Sequence, residues 1–166
     1  ETVISLACIF MAASCVNEKV EMNHPSDDFS NERKDVIAFG ASMPATKSYS
    51  VNEKKTVDDL KTTGMLVAAV SEGNLMFNEA ANWNNEKGCF MTQNTYYWPG
   101  NASDNILDFY ACSPTSKTEV SLKYANSKAT LSYNSSYSVD LLAAKCSLSK
   151  PSNSSVVNLQ FDHILA

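Results

Sequence analysis

The feature that most constrains this chain is a set of short stretches in which apolar and polar residues alternate with a period of two. "SVVNLQFDH" is the cleanest: Val157, Leu159, Phe161 and His163 fall on one face, and Asn158, Gln160 and Asp162 on the other. "NILDFYACS" repeats the pattern, with Leu107, Phe109 and Ala111 opposite Asp108. "DVIAFGA" sets Ile37 and Phe39 on one side of a strand. "VSLKYANSKATLSY" reads as a hairpin that takes Leu122 and Tyr124 up one strand and Leu131 and Tyr133 down the next, turning near Asn126-Ser127. "GMLVAAV", Gly64 to Val70, is continuously apolar and suits a strand buried on both faces. A further strand, "NLMFN", follows the turn signal "SEGN". Short strands separated by Asn, Ser and Pro predict an all-β sandwich. The exception is "TVDDLKTTG", which predicts one short helix capped by Thr56, with Gly64 just past its end.

The beginning of the chain has a different texture. "SLACIFMAASC" is a greasy run that stops at Cys15. It is too short for a bilayer, which needs ~20 apolar residues. It fits the apolar region of a secretory signal, with Ala12, Ala13 and Ser14 as the small residues before the cut. Cys15 in the next position is expected to be the lipidated first residue of a mature bacterial lipoprotein. An ordinary signal peptide with a chance cysteine, or a frayed apolar N-terminus, is the alternative. Glu1 stands where Met would, and no Lys or Arg precedes the run, so the true beginning is expected to lie upstream. "LQFDHILA" ends on apolar residues in or just after a strand, so a fragment at both ends is expected.

Residues 1–14 therefore read as a signal peptide, 15–34 as a polar tether and 35–166 as one domain cut before a second. The tether, "VNEKVEMNHPSDDFSNERK", is charged and without period. The formal charge of the chain is -5, and no basic cluster offers a surface for nucleic acid. Of five cysteines, Cys8 lies in the leader and Cys15 takes lipid. Cys89, Cys112 and Cys146 remain. Three cannot close a disulfide framework, and the favoured reading is small apolar residues in a β-core, with a single bridge as the alternative.

Catalytic chemistry finds little support. His24 lies in the tether, and His163 reads as a packed strand-end histidine whose neighbour Asp162 points to the other face. No spacing suits zinc, no glycine-rich loop suits phosphate, and "GASMP" around Ser42 lacks the second Gly of a nucleophile elbow. Asp27-Asp28 and Asp58-Asp59 read as solvated faces. The expectation is a non-enzyme with no cofactor and no metal. One cluster carries a binding alternative: Tyr96, Tyr97 and Trp98 in "TYYWPG", with Trp83 in "ANWNN", could present a glycan platform. The bland reading is a strand with Tyr97 buried and Trp98 covering the sandwich edge before Pro99, while Trp83 is expected to be the exposed ring, in a loop that meets a partner.

In order and spacing, "VIAFGASMPATKSY", "LMFNE", "CFMTQNTYYWPGNASDNILDFYACSP", "DLLAA" and "LQFDHILA" resemble the N-terminal domain of the fimbrillin family, the type V pilus subunits and related lipoproteins of Bacteroidetes. The resemblance implies a transthyretin-like Greek-key β-sandwich at the outer membrane, palmitoylated at the lipoprotein cysteine and acting in a fimbrium for cell adhesion. It also implies assembly by strand exchange, in which a protease removes an early strand and another subunit's strand fills the groove. Here the removable strand is Val36 to Gly40, with Val36, Ile37 and Phe39 as its side chains. The family's cut follows an Arg soon after this strand; this chain has Lys47 there, and its only Arg, Arg33, precedes the strand. An Arg-specific protease would not accept Lys47, because an ammonium does not replace the guanidinium fork. Either a Lys-tolerant protease acts, or the first strand stays and the protein is an anchor or accessory subunit. The implied partners are other pilus subunits, the outer membrane through Cys15, and a host glycan or protein.

Overall fold

In the computed structural model, the structure describes residues 36–43, 56–99, 106–115, 120–133, 140–151 and 156–165. The elements are β1 (Ala38–Ser42), α1 (Val57–Thr63), β2 (Met65–Ser71), β3 (Asn74–Asn84), β4 (Cys89–Thr92), β5 (Leu107–Ser113), β6 (Val120–Ala125), β7 (Lys128–Tyr133), β8 (Leu141–Leu148), β9 (Val156–Gln160) and β10 (Asp162–Leu165). Over the described residues the protein is an all-β sandwich with one short helix.

Eight strands form one sheet in the order β10-β8-β5-β2-β3-β4-β1-β9. Its pairings are antiparallel except β1 with β9, which is parallel. The two outermost strands, β9 and β10, are joined by Phe161 alone, so the sheet has to curl until its edges approach. The interior of that curl is the main core, built from Phe39, Val67, Phe77, Phe90, Phe109, Val157, Leu159 and Phe161 among others. Phe39 meets Phe77 and Phe109 edge-on, and Trp98 meets Phe109 edge-on, as aromatic quadrupoles favour.

A second layer sits outside. The β6-β7 hairpin pairs Leu122 with Leu131 and turns through Asn126 and Ser127, at φ 51° and 57°. Both central residues are left-handed, the geometry that matches the twist of a hairpin. Val120, Leu122, Ala129 and Leu131 cover Ala68, Val70, Tyr110 and Cys112 on the outer face of β2 and β5. This is why "GMLVAAV" is apolar throughout: Val67 and Ala69 face the interior, Ala68 and Val70 the hairpin. The helix is capped as its sequence predicts. Thr56 Oγ1 accepts from the Asp59 amide at 3.4 Å, and Asp59 Oδ2 accepts from the Thr56 amide at 2.6 Å. Gly64 follows at φ 67°, where an added Cβ would meet Asn82 Oδ1 at 2.8 Å.

One strand expectation is corrected. "SVVNLQFDH" is not continuous: Val157, Leu159 and Phe161 do share the interior face, but the strand breaks at Phe161 and His163 lies on β10, at the opposite edge of the sheet. The parallel partner β1 ends at Ser42, whose carbonyl accepts the Phe161 amide at 2.8 Å, and β8 then captures the chain by pairing Leu142 with His163.

Candidate functional site around β1

β1 is the strand that the sequence singles out, and it is an inner strand of the curled sheet. It pairs in parallel with β9 from Ala38↔Val156 to Ser42↔Gln160, and antiparallel with β4 at Phe39↔Phe90. Alternation decides its faces. Ile37, Phe39 and Ala41 point into the core, at 1%, 0% and 8% exposure. Phe39 meets Phe77 at 6.5 Å and Phe109 at 5.7 Å between ring centroids. Burying a side chain of this size is worth roughly 1.5–3 kcal/mol, so the inward residues hold β1 more firmly than any charge does. On the outward register, Gly40 has space for a Cβ only at ordinary contact distance, 3.4 Å from Val156 Cγ1.

The start of β1 is gripped by the segment after β4. The Ile37 amide donates to the Tyr96 carbonyl at 2.8 Å, and Val36, half-buried, bridges Tyr97. Tyr96 is itself fixed twice. Its ring stacks on Phe77 at 4.1 Å, and its hydroxyl donates to Glu79 Oε1 at 2.6 Å. Asn94 Nδ2 donates to the same oxygen at 2.5 Å. Hydrogen bonds from Tyr96 and then Asn94 hold the Glu79 carboxyl below its ordinary range, and the bond to Glu79 raises the Tyr96 phenol. Nothing in the sequence announces this cluster, because its members are 15 and 17 residues apart on different segments.

The four rings of the glycan alternative do not share an exposed face. Trp98 is 4% exposed and packs edge-on against Phe109, 5.8 Å away, while Tyr97 is 57% exposed. The expected burial of Tyr97 and Trp98 is thus reversed: with Tyr96 turned in against Phe77, the extended backbone sends Tyr97 out and Trp98 in. Trp83 is in β3 and not in a loop. It is half-buried, edge-on to Phe90 at 5.0 Å, with Lys61 Nζ 4.9 Å from its ring centroid and its indole N–H on Asn85.

His163 has a partner that the sequence did not suggest. Its Nδ1 lies 2.6 Å from Asp140 Oδ2, with 14% and 7% of the two side chains exposed. The pair ties β10 to the residue before β8. Among the described residues no group of three or more His, Cys, Asp or Glu side chains could hold a metal ion, and no helix is long and apolar enough to cross a membrane. Cys89, Cys112 and Cys146 are all buried, in β4, β5 and β8. Cys112 faces the hairpin layer and Cys146 the interior, so the sheet itself separates them. Burial pushes the Cys112 thiol up to about 12 and raises that of Cys89 despite nearby Lys87. Cys15, Arg33 and Lys47 lie outside the described residues.

A family model described as fimbrillin-like matches residues 41–166, beginning inside β1 and running to the last residue. Neither a curated protein nor a solved structure matches the chain.

Proposed function

The chain belongs to the fimbrillin-like family, and from that premise we propose that it is a non-enzymatic subunit or anchor of a surface fimbrium, assembled by exchange of β1. Membership implies a fimbrial subunit at the cell surface in association with other subunits. The observation that carries the finer reading is the position of β1. It is an early strand whose Ile37 and Phe39 fill the centre of the core, and its withdrawal opens a groove between β4 and β9. Phe77, Phe90, Phe109, Val157 and Leu159 belong to the same core and would receive an incoming strand. Such a groove supplies both parts of β-augmentation, namely main-chain hydrogen bonds for affinity and alternate side-chain sites for specificity. Attachment to the outer membrane runs through lipid on Cys15, in keeping with the greasy run that ends there. Release of β1 requires a cut at Lys47, and hence a protease that accepts Lys.

The test is the mature N-terminus of the full-length protein, read by mass spectrometry after recovery from the cell surface. A start just after Lys47, without lipid, marks a polymerising subunit that has lost β1. A start at acylated Cys15 marks an anchor that keeps it. A chain that begins at neither position and is recovered only as a monomer overturns the reading.

A further inference from the structure

Glu79 occupies an unusual place for an acid. It follows Phe77 by two residues along β3 and pairs with Val67, so it stands on the same register as residues of the core. Its carboxylate still reaches solvent, so the donors gathered on it serve to fix the neighbouring segment rather than to offset burial. The donors come from the segment after β4: the Tyr96 hydroxyl and the Asn94 side chain on Oε1, and the Asn94 amide on Oε2 at 3.4 Å. Thr92 Oγ1 closes the turn by donating to the Asn94 carbonyl at 2.7 Å. The same segment carries the Tyr96 carbonyl that receives the Ile37 amide, and Tyr97, which bridges Val36. Val36 and Ile37, which lead into β1, are therefore held by a segment that is itself fastened to β3 through the Glu79 carboxylate and the Tyr96–Phe77 ring stack.

We propose that Tyr96 is a positioning residue for strand release: its hydroxyl on Glu79 latches the segment that grips Ile37, and so sets how readily β1 leaves the sheet. The functional meaning of the latch rests on the strand-exchange reading above. The latch itself does not, since it concerns only the local opening of β1. Tyr96→Phe removes the hydroxyl and keeps the ring stacked on Phe77, while Glu79→Gln keeps the shape and removes the charge that strengthens the bond.

Hydrogen exchange on the full chain reads the outcome residue by residue. In both variants the Ile37 amide is expected to exchange about ten-fold faster than in the parent. The amides of Ala69 and Phe109, which pair with each other in β2 and β5, serve as internal references and should not change. Unchanged exchange at Ile37 overturns the proposal, and so does equal acceleration at all three sites, which would make Tyr96 a general stabiliser only. A labelled peptide of the sequence VIAFGAS is then offered to each protein. Faster capture by Tyr96→Phe than by the parent supports the latch in its functional role. Faster opening of Ile37 with no capture by either protein leaves the latch standing and counts against strand exchange.

Discussion

The rings of Phe39 and Phe109 meet edge to face with their centroids 5.7 Å apart. Their strands, β1 and β5, have three others between them in the sheet. Strands spaced ~4.8 Å apart in a flat sheet would hold those residues ~19 Å from each other. The contact therefore exists only because the sheet folds over on itself, and Phe39 is the side chain from β1 that bridges the fold. Phe39→Ala should cost ~3–5 kcal/mol of stability, the range for a buried Phe that leaves a cavity. Urea denaturation of the two proteins measures it, with an unchanged slope and a lower midpoint.

Gly40 and Asn158 are in-register neighbours in the parallel pair, and a Cβ on Gly40 would lie 4.0 Å from the Asn158 Cα. Paired strands lie ~4.8 Å apart, within the Cα separation that a disulfide spans, so Gly40→Cys and Asn158→Cys are a candidate pair for one. Oxidised, the double variant should be unable to release β1 and should lose the subunit ladders that persist in mild detergent; reduction should restore them. Ladders of undiminished length from the oxidised protein would show that assembly does not use β1.

The hairpin turn places Ser127 at φ 57°, a conformation that costs a residue with a Cβ roughly 1–2 kcal/mol. Ser127→Gly removes most of that strain, and the greater freedom of glycine in the unfolded chain offsets part of the gain. A net stabilisation of about 0.5–1 kcal/mol is expected, seen as a higher urea midpoint.

Acid should loosen the Glu79 latch. Because hydrogen bonds from Tyr96 and Asn94 lower its folded pKa, Glu79 contributes stability that is present above its unfolded value and lost as pH falls through its folded value. The Tyr96 phenol, raised chiefly by the same bond, has the opposite sense. Its contribution is present below its unfolded value and lost as alkaline pH passes its folded one. Denaturation midpoints measured across the carboxylate range should fall less steeply for Glu79→Gln than for the parent.

Cys112 and Cys89 should be inert in the native protein, since burial disfavours the thiolate that attacks reagents. Treatment with a thiol reagent at pH 8, followed by peptide mapping, should label neither site until denaturant is added. Rapid native labelling at Cys112 would mean that the β6-β7 hairpin opens readily from the outer face of β5.

Much of this was legible from residue order alone. Alternation placed Ile37 with Phe39 and Leu107 with Phe109, the unbroken run at Val67 to Val70 foretold a strand covered on both faces, and Thr56 and Gly64 marked the helix ends. These are local matters, settled by backbone periodicity and by capping within a few residues. Tertiary structure alone decided what lies across from each face. It broke the last apolar run at Phe161, sending His163 to the far edge of the sheet and to Asp140. Trp98 went inside and Tyr97 out, and Tyr96 was joined to Glu79. It also set residues 38–42 beside 156–160, near opposite ends of the chain. A period of two says which way a side chain points and nothing about which strand will meet it. That choice belongs to the curling of the whole sheet around a shared core, a property no single segment carries.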